Sequence, residues 1–150
     1  ELLFHRGYSF KLKLSIKENN TKLTRRIDFL KSMGVQIENV NKSGFLSSKD
    51  VYREIYNSEF TIFPSLLETF GYALVEGTIL DNYVITSRLP YVEDVLVPSA
   101  KFNPDSPKSI ADIVEHSVIN KSSLKKPELI FNNNNSNLIK ILNEIFEFNN

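Results

Sequence analysis

The chain has 150 residues, 41% hydrophobic and 24% charged, which is ordinary globular composition and enough length to bury a sizeable core. Its 18 basic and 18 acidic side chains cancel, which argues against a general nucleic-acid binder, because that affinity rests on clustered Lys and Arg. There is no cysteine, so disulfides and thiolate metal sites are excluded and a reducing, cytoplasmic setting is expected, and no apolar run approaches the ~20 residues that span a bilayer.

The chain opens at Glu1 rather than Met, inside an apolar segment, and reads as a piece whose natural N-terminus lies upstream. Lys11 to Ile16 alternates with period two and predicts a half-buried strand. From Thr21 to Met33, Leu23, Ile27 and Leu30 fall at helical spacing, and Gly34 stops the helix. Val35 to Val40 alternates again as a second strand. Ser48, Lys49 and Asp50 form a helix start, followed by inward-facing Val51, Ile55 and Tyr52 on a helix that ends near Ser58.

Phe60 to Phe63 is a short apolar strand stopped by Pro64, and a helix is expected from Gly71 to Leu80. Tyr83 to Thr86 predicts the fourth strand and Ala100 to Phe102 the fifth. Pro107 suits the first position of a helix running to Val118. Asn132 to Asn135 is a low-complexity run within a linker over 132–137, and Leu138 to Phe148 is a closing helix with Leu138, Ile141, Leu142 and Ile145 on one face. Strands alternating with helices imply a single α/β domain over 1–150, with a parallel sheet covered by helices on both faces. Ligands bind such sheets outside the carboxyl ends of the strands, which points to the segments after Val40, Phe63 and Thr86.

The segment after Phe63 is the most unusual. A turn carries Glu68, a Gly-containing helix start follows at Thr69, Phe70, Gly71 and Tyr72, and Glu76 stands two turns into the helix. The first N–H groups of a helix lack internal partners and carry part of the helix dipole, so an anion such as a diphosphate suits this start. Gly71 allows close approach of the backbone. A carboxylate beside a phosphate site would repel it, so Glu68 and Glu76 are better suited to accepting hydrogen bonds from sugar or ribose hydroxyls. The bland alternatives are a helix-start acid, a surface acid and a turn glycine.

The string Pro64-Ser65-Leu66-Leu67-Glu68-Thr69-Phe70-Gly71, with Glu76 closing a Glu-x7-Glu spacing, resembles the C-terminal domain of the GT-B retaining glycosyltransferases of family 4. The resemblance continues through Tyr83 to Ser87, Leu89 to Val95 and Phe102 to Ala111, the last run being similar to the bacterial surface-polysaccharide and O-antigen branch; it is dense from Gly44 to Val118. It implies a Rossmann-like fold, the C-terminal half of a GT-B enzyme. It also implies Glu76 on the ribose hydroxyls, Glu68 on the transferred sugar as the catalytic residue, backbone at Phe70, Gly71 and Tyr72 near the sugar and diphosphate, and the loop at Gly44, Phe45 and Leu46 at the base. Thr69 joins the donor-binding set. Tyr91 and Asp94 are read either as donor contacts or as a turn and helix cap.

Three departures from the family pattern stand out. The region where the family usually carries the Arg and Lys that neutralise the diphosphate precedes or barely overlaps residue 1, and His5 and Arg6 are a poor substitute; the Gly-x-Pro before the fourth strand is Asp81-Asn82-Tyr83; and Gly77 stands where Ala is common, at up to ~1 kcal/mol of helix propensity.

The resemblance implies transfer of a sugar from a nucleotide-sugar to a glycan or lipid-linked acceptor with retention of configuration. No cofactor is expected, and with neither an Asp-x-Asp motif nor a His cluster no metal is expected either. Glu68 as a covalent nucleophile remains the alternative to a hydroxyl acceptor. The acceptor site and general base would belong to an N-terminal domain outside this chain, without which the fragment would be inactive, and peripheral contact with the inner face of the cell membrane would come through that half. The competing readings are a non-catalytic module that binds a nucleotide-sugar or stabilises a partner, and an epimerase of the same two-domain architecture, which would need its own catalytic acids. A signalling receiver domain is ruled out because no acidic cluster follows the first strand.

Overall fold

The computed structural model describes residues 1–15, 21–40, 46–68 and 71–130, and divides into two compact units, Glu1–Val51 and Tyr52–Asn150. The expectations for Ile16, Gly44, Phe45, Thr69 and Phe70, for the linker over 132–137 and for the closing helix lie outside the described residues.

In the first unit a short helix α1 (Leu2–His5) precedes β1 (Lys11–Leu14), α2 (Thr21–Ser32) and β2 (Gln36–Asn39). The two strands pair in parallel, Lys11 opposite Gln36 and Leu14 opposite Asn39. Helical spacing on α2 and alternation on the strands converge on one core of Ile27, Val35 and Ile37, packed by Phe4, Phe10, Leu12, Leu14, Leu23 and Leu30. Gly34 ends the helical segment with a φ of +94°, a left-handed conformation that glycine adopts without Cβ strain.

Helix α3 (Ser48–Tyr56) starts one residue earlier than its sequence signal suggests. Ser47 is the capping residue: its hydroxyl oxygen accepts the Asp50 N–H at 3.2 Å and donates to the Asp50 carboxylate at 2.6 Å.

The second unit holds β3 (Phe60–Phe63), α4 (Tyr72–Ile79), β4 (Tyr83–Ser87), α5 (Pro90–Glu93), β5 (Leu96–Val97), β6 (Ala100–Phe102), α6 (Pro107–Ile119), a 3-10 turn at Lys121–Ser123 and β7 (Glu128–Leu129). Strands β3, β4 and β6 form a parallel sheet with β4 in the centre, Phe60 opposite Tyr83 and Ile85 opposite Ala100. A central parallel strand is covered on both sides, and Val84 to Ser87 are accordingly buried throughout. Two features go beyond the expected pattern: α5, with Pro90 at its start, and an antiparallel pairing of β5 with β7. The chain is thus mixed α/β with small sheets, two of them parallel.

Leu74, Val75, Val84, Val92, Val95 and Leu96 form the core of this unit, with Phe63, Ile79, Tyr91 and Leu129 against it. Helix α4 lies close to the sheet at Gly77, where a Cβ would come within 3.1 Å of both Thr61 Oγ1 and Val84 Cγ2. The glycine that looks like a helix defect in the sequence is a packing requirement. The turn before β4 is resolved by Asp81, which takes a φ of +58°, a conformation that Asp tolerates better than most non-glycine residues. Lys126 pairs with the Asp81 carboxylate at 3.2 Å and Asn82 donates its side-chain amide to the Ile55 carbonyl. At α6 Ser106 caps the helix, its side chain accepting from the Ser109 N–H, and Pro107 sits in the first turn as its residue type predicts.

Candidate functional site

Parallel β3 and β4 deliver their carboxyl ends to one edge of the second unit, and the polar residues there are interlocked. Thr86 Oγ1 donates to the Phe63 carbonyl at 3.2 Å, so the fully buried end of β4 is tied to the last residue of β3. Beyond Phe63, Ser65 organises the turn by donating to the Leu67 carbonyl and to Glu68 Oε1, both at 3.1 Å. Tyr91, on α5, reaches across to donate its hydroxyl to the Ser65 carbonyl at 3.2 Å. Burial, followed by the charge of Glu68, raises the Tyr91 phenol above its ordinary range, and hydrogen bonds with Ser65 and Thr86 oppose the rise. Tyr91 thus braces the loop that carries Glu68, a contact outside both roles weighed for it in the sequence.

Glu68 itself is exposed, as are its neighbours Leu66 and Leu67. Gly71 begins α4 in the left-handed region, φ +72° and ψ +54°, and is buried. Its missing Cβ matters twice, since a methyl there would be strained and would lie 3.0 Å from Leu74 Cδ1. The first turn of α4 has neither a side-chain cap nor an acidic residue. Tyr72 points outward with 69% of its surface exposed.

Glu76 is half-buried on α4, and the hydroxyl of Tyr52 on α3 influences its carboxylate. Burial lifts the Glu76 carboxyl above the usual carboxylate value, and the bond from Tyr52 works in the other direction. Tyr52 is raised as well, by its own burial first and then by the Glu76 charge and hydrogen bond. Glu68 and Glu76 are therefore held by different partners around one strand-to-helix junction. Leu46 lies in the first unit, partly buried. Among the described residues no group of three His, Asp or Glu is placed to hold a metal ion, and no helix is long and apolar enough to cross a membrane.

Three residues enter the site without having been singled out by sequence. Tyr52 looks like core until Glu76 is seen beside it. Ser65 is part of a motif string but has no assigned role there. Arg88, exposed immediately after β4, puts a cation at the carboxyl end of that strand. The Arg88 backbone N–H is anchored to the Phe102 carbonyl at 2.8 Å. Position after a strand is the only signal that could have found it.

Two concavities lie elsewhere. One, of about 240 Å³, is lined by Phe4, Tyr8, Phe10 and Gly34 among others, at the amino ends of β1 and β2. The other runs along α2 beside Lys22, Arg25, Arg26 and Phe29. Neither includes Glu68 or Glu76. Compared with known proteins, the chain matches no family model, no curated protein and no solved structure.

Proposed function

We propose that this chain is the donor-binding half of a retaining glycosyltransferase, its α/β core a Rossmann-like sheet flanked by helices on both faces. It moves a sugar from a nucleotide-sugar to a glycan or lipid-linked acceptor. The observation that carries this reading is the junction between β3 and α4. Glu68 follows the strand, left-handed Gly71 opens a helix whose first turn has no side-chain cap, and Glu76 sits one further turn along. The amides of a helix start favour an anion, and acids on either side favour hydroxyl donors.

In the proposed reaction the bond between the anomeric carbon and a phosphate oxygen breaks through an oxocarbenium-like state. The leaving diphosphate gains charge and is stabilised by the amides at the start of α4, with the guanidinium of Arg88 on the same edge. Glu68 accepts a hydrogen bond from the transferred sugar, while Glu76 takes the ribose hydroxyls. A second domain contributes the acceptor site and general base, and brings the enzyme to the inner face of the membrane. The test is titration of nucleotide-sugars by calorimetry. Glu76→Gln should weaken the donor by ~1–3 kcal/mol through loss of a charged hydrogen bond. Equal affinity in the variant and the parent rejects the reading.

A further inference from the structure

Helix α2 turns Leu23, Ile27 and Leu30 toward the core of the first unit. At ~3.6 residues per turn, Lys22, Arg25, Arg26 and Phe29 then share one flank of the helix, while Asp28, its only acid, falls on the other. These residues, with Thr21, line an open groove of about 440 Å³. All of them are exposed, Phe29 to 47%, and the Arg26 guanidinium stands 5.1 Å from the centre of the Phe29 ring. Arg26 also pairs with Glu1, and the next residue, Leu2, is 41% exposed. Phe29 and Leu2 are the exposed large apolar side chains among the described residues of this unit.

Lys22 and Arg25 work against the helix that carries them. Like charges one turn apart destabilise a helix. A cation in the first turn opposes the helix dipole, and no acid stands in that turn of α2. A partner that offsets this repulsion is anionic. The ring among the cations gives the partner a second property, an apolar layer beneath its charge, which a soluble phosphate lacks. The groove is open and its cations are strung along ~6 Å of helix, which suits a plane of separate headgroups better than one enclosed ion. We propose that this flank of α2 docks on the anionic face of a phospholipid bilayer. Lys22, Arg25 and Arg26 meet the headgroup phosphates, and the Phe29 ring sits at the acyl boundary. The contact goes beyond the donor-binding reading, which assigns the membrane to a second domain, and stands without it.

The experiment sediments the chain with vesicles of phosphatidylglycerol and phosphatidylcholine in equal parts, and with vesicles of phosphatidylcholine alone. The parent should bind the mixed vesicles at ~0.01 M salt, ignore the neutral ones, and dissociate at ~1 M salt, where the Debye length falls from about 30 Å to about 3 Å. Lys22→Gln combined with Arg25→Gln should weaken partitioning by about 30-fold, roughly fivefold for each cation. Phe29→Ser should weaken it several-fold. Lys108→Gln with Lys125→Gln alters the net charge equally in the second unit and should stay within about twofold of the parent. No binding of the mixed vesicles by the parent overturns the proposal. Equal loss in the two double variants also overturns it, because total charge would then be the cause. Tripolyphosphate or a polyglutamate peptide held through Lys22 and Arg25, by a chain that ignores the vesicles, overturns it in favour of a soluble anion or an acidic protein. Both substituted cations are exposed, and circular dichroism checks that the variant folds. Without any substitution, hydrogen exchange of the parent on mixed vesicles should slow across Thr21–Ser32, and unchanged rates there overturn docking through α2.

Discussion

Replacing Gly77 by alanine sets two effects of known size against each other. Alanine inside a helix is favoured over glycine by ~0.8–1.0 kcal/mol, so an exposed position would gain that amount. Here the added methyl would stand 3.1 Å from Thr61 Oγ1, 3.1 Å from Val84 Cγ2 and 3.2 Å from Thr61 Cβ. Comfortable carbon contacts lie at ~3.5–4.0 Å. Both neighbours are β-branched residues on strands, with restricted χ1, and Val84 is fully buried, so neither can swing aside. Relief must come from lifting α4 off the sheet by a few tenths of an ångström, which loosens Leu74 and Val75 in the main core. Overpacking of this kind costs ~1–3 kcal/mol. The balance runs from about zero to a net loss of about 2 kcal/mol, after subtracting the propensity gain. Urea unfolding followed by circular dichroism measures it directly, and thermal unfolding should show a fall of ~2–4 °C per kcal/mol for a chain of this size. In a Val84→Ala background the penalty should shrink, because one of the two closest atoms is gone. A Gly77→Ala protein stabilised by ~1 kcal/mol would mean that propensity acts alone, and the close approach of helix to sheet would be wrong.

Gly71→Ala should destabilise by ~1–3 kcal/mol, since it combines a left-handed backbone with a methyl 3.0 Å from Leu74 Cδ1; an unchanged urea midpoint would remove the strained helix start from the argument. The pH dependence of stability follows from the direction of the Glu76 shift. Its carboxyl in the folded protein lies above the ordinary value of 4.5, so the folded state holds the proton more tightly than the unfolded state. The associated stability is fully present below pH 4.5 and is lost as pH rises through the elevated value. Glu76→Gln should therefore flatten the downward slope between about pH 4.5 and neutrality when urea midpoints are compared at several pH values, and identical slopes would contradict the burial of this acid. Glu93, exposed and lowered by its hydrogen bond and charge pairing with Lys101, gives the opposite trend, and that trend is common to both proteins.

Most of the strands and longer helices were legible because each carries its own period. Lys11 to Leu14 alternates, Leu23, Ile27 and Leu30 recur on one face of α2, and Tyr83 to Thr86 is a short run of aromatic and β-branched residues that favour a strand. Leu96–Val97 and Glu128–Leu129 were invisible for the opposite reason: two residues cannot display a period, and their antiparallel pairing exists only once the chain has brought them together. The candidate site divides along the same line. Glu68, Gly71 and Glu76 are close in sequence and form a motif. Tyr52 meets Glu76 from another helix and Tyr91 meets Ser65 from beyond β4, contacts that no local pattern encodes. Gly77 is the instructive case between these extremes, because the residue was noticed but its reason, contact with Thr61 and Val84, belongs to the tertiary structure.

The surroundings of the two acids separate their roles more sharply than their spacing does. Glu68 is exposed on a loop braced by Ser65 and Tyr91 and already accepts from the Ser65 hydroxyl, so a sugar hydroxyl would add to partners that solvent can also provide. Glu76 is half-buried, and burial works against its charge. Each further hydroxyl that donates to such a carboxylate favours the ionised form and offsets the desolvation. On the donor-binding reading, a ribose diol supplies the donors that burial withholds, and ligand binding at Glu76 is linked to loss of its proton. By reciprocity, acidification through the elevated titration range of Glu76 should weaken the ribonucleotide more than its 2′-deoxy counterpart, because only the former uses the full acceptor capacity of the charged group.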